Sequence, residues 1–399
     1  MIKIALLGFG VVGSGTAEVL TENKEIIKNK VGHDYDIKYI LDLRDFPDSP
    51  FADKIVHDIN IIVNDPEISV VGEMMGGSHP AYEFTRACLE SGKNVVTANK
   101  ELVSTFGAEL CRIAAEHGVR YLFEASVGGG IPIIRPLIND LSSNKITRIC
   151  GILNGTTNYI LTSMRDSGAD FGDALGNAQR LGYAEANPSA DVDGIDAARK
   201  TAILAAIASG KLIDPKTIHT EGISKITLTD TKICAELGLS IKLIGYTEVK
   251  DGRILALVSP RAIFSANPLS HIDDVLNGVL LNANMVGEVM FYGPGAGKLP
   301  TASAVVADII DIIENRDNAL KTIEWNAATD NDISDLSAYS CRRVIVFADN
   351  SLSAQLPEGV LKSCDGVYGL LTDNALTERD MDKLSEKLGD KIISSYRVL

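Results

Sequence analysis

The chain is poor in positive charge: 38 lysines and arginines stand against 53 aspartates and glutamates, a net charge of −15. Nucleic-acid binding needs clustered cations on phosphates, so no nucleic-acid partner is expected. The substrate stays open, because the field inside a site can oppose that of the whole molecule. Long apolar runs are lacking too; none reaches the ~18 residues of a membrane span, so no membrane partner is expected. The six cysteines (Cys88, Cys111, Cys150, Cys234, Cys341, Cys364) include no CxxC pair. That pattern predicts reduced thiols in a cytoplasmic protein. The six histidines (His33, His57, His79, His117, His219, His271) lack zinc-ligand spacing, which argues against a metal site built on them. The opening MIKIALLGFGVVG has no charged leader or cleavage site and reads as a strand and turn, not a signal peptide.

What remains is an ordinary globular composition, 45% hydrophobic and 23% charged. At 399 residues the chain exceeds one compact core, so two or three domains are expected. The apolar run at 2–7 passes at once into Gly8-Phe9-Gly10-Val11-Val12-Gly13 and then a helical stretch over 13–29. Strand, glycine turn and helix in this order are the context a dinucleotide fingerprint requires. Gly8 permits the tight turn, Gly10 lets the backbone approach a pyrophosphate, and Gly13 lets helix pack on strand. The helix N-terminus offers N–H groups and partial positive charge to the phosphates. A second strand, 37–41, ends at Asp42 and Arg44. Asp42 lies further from the glycines than the usual ~20 residues for a ribose-binding acid, and Arg44 could instead neutralise a 2′-phosphate. NAD and NADP are both open.

Further strands are expected at 70–75, 94–97 and 121–124, with helices at 81–90 and 101–117 between them. This alternation predicts a mostly parallel sheet, whose ligands sit beyond the carboxyl ends of its strands. The turns 74–77, 98–100 and 125–130 fall there. They place Met75 and Lys100 toward a cofactor, although Lys100 reads equally well as a solvated lysine in a first helical turn. After Gly130 the character changes. Residues 131–141 read as a crossing helix, and Gly151–Tyr159 (GILNGTTNY) carries hydroxyls and amides that could line a pocket or simply cap a helix. A strand at 254–257 belongs to a sheet-containing middle domain. A second glycine-rich turn, 293–301, which includes Gly297, precedes an apolar helix over 302–313 that is read as returning to the first domain with its turn near the cofactor. Beyond a polar linker at 321–335, strands at 342–348, 366–371 and 391–398 and a helix at 378–389 form a small third domain near the lower size limit for independent stability. The expected division is 1–130 completed by 295–320, then 131–294, then 336–399.

The segment LGYAEANPSADVDGIDAARK, 181–200, says most about chemistry. It holds Glu185, Asp191, Asp193 and Asp196, then Lys200. A helix there puts Asp196, Lys200, Ile203 and Ile207 on one stripe. A charged pair heading a buried stripe suits a lysine held as a proton donor by an acid. The same spacing also suits an i,i+4 surface pair worth only ~0.3–0.5 kcal/mol, with Asp193 as a capping residue. Glu185 and Asp191 could bind a substrate ammonium or lie in water.

Taken together, GFGVVG, GGSHPA, GKNVVTANKELVS, FEASVGGGIPII, GILNGTTNYILTSM, the acid–lysine segment and GAGKLPTASAVVAD resemble homoserine dehydrogenases, in the family's order, over about residues 1–315. The resemblance implies an α/β fold: a doubly wound N-terminal Rossmann domain, an α+β catalytic and dimerisation domain, and a small C-terminal ACT-like βαβ unit. It implies NAD(P)-dependent interconversion of L-homoserine and L-aspartate 4-semialdehyde, on the route to threonine and methionine. It makes Lys200 the acid–base residue, assisted by Asp196, with Lys100 near the nicotinamide and the reacting carbonyl. Thr156, Tyr183, Glu185 and Asp191 would bind the amino-acid end. Gly8 to Gly13, Arg44, Met75, Lys100 and Gly297 would hold the dinucleotide. It also implies a homodimer and a sodium ion on the backbone carbonyls of Glu124, Val127, Gly129 and Ile131. The tail lacks a clear effector-binding pattern, and YILDLRDF departs from the family's usual ending of the second strand. Two other readings remain: another Rossmann oxidoreductase acting on a small amino or hydroxy acid, and a catalytically silent nucleotide-binding sensor. A phosphorylating semialdehyde dehydrogenase is disfavoured, since no cysteine sits in a nucleophile's loop.

Overall fold

Ile4, Ala5, Leu6 and Leu7 are fully buried. Such a continuous apolar run suits a strand covered on both faces of a parallel sheet, and Ile2–Leu7 is the third strand of six. The order is Ile55–Val56, Tyr35–Leu41, Ile2–Leu7, Ile68–Glu73, Asn94–Thr97, Tyr121–Leu122, with every pairing parallel. Strand order reverses between Ile2–Leu7 and Ile68–Glu73. This is the doubly wound arrangement whose ligand crevice opens at that switch point. The short strand Ile55–Val56 was not expected.

The structure, a computed structural model, describes residues 1–319 and 322–399. Position 320, closing the expected 295–320 return, and position 321, opening the linker, lie outside the described residues. The chain divides into two units. The first comprises Met1–Lys145, Ala202–Pro215 and Gly293–Ala328; the second comprises Ile146–Thr201, Lys216–Tyr292 and Thr329–Leu399.

In the first unit the helix expected over 13–29 is two helices, Val11–Glu22 and Lys24–Val31, parted at Asn23, whose backbone sits at φ −96° and ψ 19°. Asparagine is a weak helix former, and Asn23 closes the first helix with its backbone N–H, on Val19 O at 3.1 Å. The returning helix spans Lys298–Glu314 and packs Val305, Val306, Ile309, Ile312 and Ile313 into one core with Ile4 and Leu6. Residues 131–145 stay with this unit, where 131 was expected to open the next domain. The buried Glu124 carboxylate holds them: Oε1 accepts the N–H of Ile133 and Ile134 at 2.6 and 2.8 Å, and Oε2 that of Arg135 at 2.6 Å. The expected crossing helix is shorter there and wound as the π-helix Pro136–Asp140.

The second unit is built on a ten-stranded sheet. Its path runs Gly287–Pro294, Leu276–Ala283, Ile146–Ile152, Leu239–Lys250, Arg253–Phe264, Ile392–Val398, Arg343–Phe347, Val367–Thr372, Gly359–Cys364, with His219–Thr220 beside Arg253–Phe264. The tail expected as a third domain, 336–399, is continuous with this sheet. Strand Ile392–Val398 pairs in parallel with Arg253–Phe264 through Arg261↔Arg397 and Ala262↔Val398, and antiparallel with Arg343–Phe347. The physical reason is size. The tail's own core is little more than Ile345, Phe347, Leu352, Leu370, Met381 and Leu388, so it borrows a sheet edge. Strand Gly359–Cys364 was not foreseen, because its largely exposed residues give no apolar alternation. Among the described residues no helix is long and apolar enough to cross a membrane.

Candidate active site

Strand Ile146–Ile152 delivers Leu153 and Asn154 to the start of helix Gly155–Ser167. Asn154 caps that helix, its Oδ1 accepting the Thr157 N–H at 2.9 Å. Capping orients the amide, and Nδ2 then donates to Asp191 Oδ1 at 2.7 Å and Asp196 Oδ2 at 3.0 Å. Lys200 Nζ donates to the same Asp196 oxygen at 2.8 Å and to Leu153 O at 2.7 Å. Asp196 is 5% exposed and Lys200 8%. The pair is therefore not the solvated surface pair that the spacing also allowed. Helix Ile195–Ser209 is buried on almost every side from 196 to 206, not along one stripe. Its start is set by Gly194, at φ 82°, where a Cβ would stand 2.9 Å from Thr220 Cγ2. Asp193 is exposed and ends the short helix Ser189–Val192 through its own N–H on Ser189 O at 3.0 Å.

The other substrate candidates are in the same unit. Thr156 is buried, and its hydroxyl donates to Tyr183 O at 2.5 Å. The Tyr183 ring is 43% exposed and meets Tyr159 edge-on, centroids 5.1 Å apart. The Glu185 side chain is exposed, while its backbone oxygen takes Gln179 Nε2 at 3.1 Å. A buried lysine, acid and amide are thus gathered with a half-buried second acid, and an exposed tyrosine and glutamate lie on the loop leading to them. The sequence leaves the amides of Gly151–Tyr159 between lining a pocket and capping a helix, and Asn154 does both; the Leu153 carbonyl is not named there, since a backbone carbonyl leaves no side-chain signal.

The first unit carries the remaining candidates. A Cβ on Gly8 (φ 90°) would stand 2.9 Å from Met74 O, and one on Gly13 would stand 2.0 Å from Gly8 O, whereas one on Gly10 would meet nothing within 4 Å. No side chain fits at the first two, and the third leaves backbone open to a ligand, as a pyrophosphate turn requires. Val11, 68% exposed, and Val12 open the helix at this turn. Phe9 N–H donates to Asp42 Oδ2 at 2.8 Å, and its ring packs edge-on against Phe46 and Phe51. Arg44 pairs with Asp42 through Nε and Nη2 at 3.0 and 3.1 Å. These bonds, outweighing burial, hold the Asp42 carboxyl down at about 2. Met75 donates its N–H to Glu73 Oε1 at 2.8 Å. Lys100 opens helix Lys100–Glu116, capped by Asn99, and Gly297 (φ 127°) opens helix Lys298–Glu314.

At the turn after strand Tyr121–Leu122, Glu124, Val127 and Ile131 are buried, and Gly129 (φ 54°) lies so close to Gly295 that a Cβ would be 2.4 Å from its oxygen. Glu124 N–H donates to Asp308 Oδ2 at 2.8 Å, and Arg135 Nη2 to Asp308 Oδ1 at 2.5 Å. Burial pushes Asp308 up to about 7 despite the arginine. Among the described residues no group of three or more His, Cys, Asp or Glu side chains could hold a metal ion. All six cysteines are free, and burial pushes Cys88 and Cys111 up to about 12.

A doubly wound parallel sheet with this glycine turn, in a chain whose other unit buries an acid-held lysine, defines a class: dinucleotide-dependent oxidoreductases. The comparisons make it specific. Residues 8–124 match the model for the homoserine dehydrogenase NAD-binding domain, and 132–310 the model for homoserine dehydrogenase itself. A homoserine dehydrogenase of Synechocystis sp. is 44% identical over 320 residues, 78% of this chain and 73% of that protein. The crystal structure of a homoserine dehydrogenase from Thiobacillus denitrificans superimposes with a TM-score of 0.92 at 34% identity, covering 100% of this chain and 98% of that one. A hyperthermophilic archaeal homoserine dehydrogenase mutant, solved in complex with NADPH, gives 0.68 at 29% identity over 80% of this chain and 99% of its own. The chain belongs to the homoserine dehydrogenase family and is an oxidoreductase with an NAD-binding domain.

Proposed function

We propose that the enzyme interconverts L-homoserine and L-aspartate 4-semialdehyde in amino-acid biosynthesis, on the way to threonine and methionine, with Lys200 as its acid–base residue. The observation that carries this is the hydrogen-bonded chain Lys200–Asp196–Asn154–Asp191, buried as far as the half-buried Asp191. When bound, the dinucleotide gives or takes the hydride at carbon. Lys200 Nζ gives a proton to the substrate oxygen or takes it back, while Asp196 and Leu153 O hold the ammonium in place. Glu185 and Asp191 face the substrate ammonium, with Thr156 fixing the Tyr183 loop. Lys100 serves the reacting carbonyl and the nicotinamide. The test is NAD(P)⁺ reduction on adding L-homoserine, beside a panel of amino and hydroxy acids. Reduction with another acid only would favour the other Rossmann oxidoreductase. Bound cofactor without any reduction would favour the silent sensor.

The cofactor is NAD or NADP, and Arg44 supports the second. Its guanidinium is 64% exposed and lies 5.0 Å from the Phe46 ring centroid, on the loop after the second strand. The NADPH of the archaeal relative agrees. Replacing Arg44 by Ala is expected to lower kcat/KM for NADP⁺ about tenfold or more, the worth of a charge-assisted bond, and to leave NAD⁺ little changed. An unaltered NADP⁺-to-NAD⁺ ratio in that variant would limit Arg44 to pairing Asp42.

A sodium ion on the carbonyls of Glu124, Val127, Gly129 and Ile131 belongs to the same reading. A set of backbone oxygens suits a hard monovalent cation, and the left-handed Gly128 and Gly129 bend the turn that carries them. There it would stiffen the turn. We further propose a homodimer, a cytoplasmic location and a small ACT-like C-terminal tail. The exposed Met290 and Tyr292 on the edge strand Gly287–Pro294, with Met285 in the turn before it, support the dimer.

A further inference from the structure

Glu73 is completely buried at the carboxyl end of strand Ile68–Glu73, in the middle of the parallel sheet. A buried carboxyl must find donors or it costs stability. Its donors form a closed circuit. Oε1 accepts the Met75 N–H at 2.8 Å, and Oε2 accepts the Thr97 hydroxyl at 2.5 Å. Thr97 Oγ1 in turn accepts the Asn99 N–H at 2.9 Å. Asn99 donates its amide to Gly77 O at 2.6 Å, and its Oδ1 takes the Leu102 N–H at 3.1 Å, capping the helix that Lys100 opens. The circuit thus returns to the turn that starts one residue after Glu73.

Two turns are tied together in this way, 74–77 and 98–100, at the carboxyl ends of adjacent parallel strands. That is where a doubly wound sheet holds its ligand. The first turn also bears on the glycine fingerprint: Met74 O and Met75 Cα lie 2.9 and 3.1 Å from the place a Gly8 Cβ would occupy. A shift of 74–75 would therefore be felt at the pyrophosphate turn. Burial pushes the Glu73 carboxyl up, against the pull of these donors.

We propose that Glu73 is a positioning residue for cofactor binding: its carboxyl fixes the 74–77 and 98–100 turns to each other and against Gly8, and so sets the backbone that receives the dinucleotide. The proposal rests on the first unit's being an NAD-binding domain, not on the role of Lys200. The alternative is a carboxyl that only stabilises the sheet.

The test uses the full chain with Glu73→Ala, Glu73→Gln and Thr97→Val. The readouts are cofactor Kd by fluorescence, the KM values of cofactor and L-homoserine, kcat and the urea midpoint. Glu73→Ala strands buried N–H and O–H donors and is expected to raise cofactor Kd and KM about tenfold or more. Thr97→Val keeps the shape but cuts the circuit, and a rise of roughly threefold is expected. Glu73→Gln keeps an acceptor for Met75 and a polar partner for Thr97, so it should stay within about threefold of wild type. The homoserine KM at saturating cofactor should rise less than the cofactor KM, since of the two turns only 98–100 carries a residue, Lys100, assigned to the reacting carbonyl. Wild-type cofactor Kd in both Glu73→Ala and Thr97→Val, with only the urea midpoint lowered, would overturn the proposal. So would a homoserine KM that rises as much as the cofactor KM. If Glu73→Ala does not fold, Thr97→Val decides alone on the same criterion. Because Kd is read without turnover, the positioning role is still tested if L-homoserine proves not to be the substrate.

Discussion

Lys200→Ala is expected to lower kcat by about 10²- to 10⁴-fold, the usual contribution of general acid–base catalysis, with cofactor Kd close to wild type. Two features of the site set this size. The ammonium is fixed from two directions, by Asp196 Oδ2 at 2.8 Å and Leu153 O at 2.7 Å, so the proton is positioned before substrate arrives. The lysine also sits in the second unit, whereas the glycine turn belongs to the first, so replacing it leaves that turn's own packing intact. Loss should fall on kcat and kcat/KM alike, the mark of an interaction made in the transition state. Lys200→Arg should not recover activity, because a guanidinium stays protonated and has a different shape. Removing a partner from a buried pair also destabilises, so Lys200→Met, which keeps the stem, separates lost chemistry from lost fold. Steady-state rates of homoserine-dependent NAD(P)⁺ reduction, beside cofactor titration, measure this. Wild-type turnover in Lys200→Met would remove the acid–base role.

Much of this site could be read from the chain because its chemistry is local. Asp196 and Lys200 are one helical turn apart, and the glycine fingerprint directly follows its strand. The parallel sheet followed from alternating strands and helices. What escaped the sequence depends on long-range contact. Asn154 meets Asp191 and Asp196 across 37 and 42 positions, and an N-cap motif does not say where the other half of its amide points. Glu73 looks like the end of an apolar strand, and only the neighbouring strand's Thr97 shows what it holds. Boundaries were misplaced where a single side chain overrules composition: Glu124 keeps 133–135 in the first unit. The tail's place in the second sheet was illegible for the same reason, since pairing of Arg397 beside Arg261 spans 136 positions of chain.

That tail supplies the other large expected effect. Arg397→Met should destabilise the second unit by about 3–5 kcal/mol, the cost of breaking a buried ion pair. Arg397 is 5% exposed. Its Nε and Nη2 hold the two oxygens of Glu378 at 2.8 and 2.9 Å, and its Nη1 holds Glu221 Oε1 at 2.6 Å. Removing it strands two acids, each keeping one partner: Arg343 on Glu378 and His219 on Glu221. Arg397→Met with Glu378→Gln should therefore recover part of the loss, a non-additivity that a double-mutant cycle measures. Acid dependence follows from Glu221. Burial pushes its carboxyl up, but His219 and Arg397 win and hold it at about 2, below its ordinary 4.5. A lowered pKa gives stability above the unfolded value that disappears as pH falls from about 4.5 toward 2. Urea midpoints across that window should fall steeply in wild type and less steeply in Arg397→Met. The network also borders the active site. Just past Glu221, a Cβ on Gly222 would stand 2.3 Å from Val192 O, and Ile223 N–H bonds that oxygen at 2.8 Å, one residue after Asp191. Loosening Glu221 should thus raise the homoserine KM while the cofactor KM stays unchanged. A lower urea midpoint with unaltered homoserine KM would confine Arg397 to anchoring the tail.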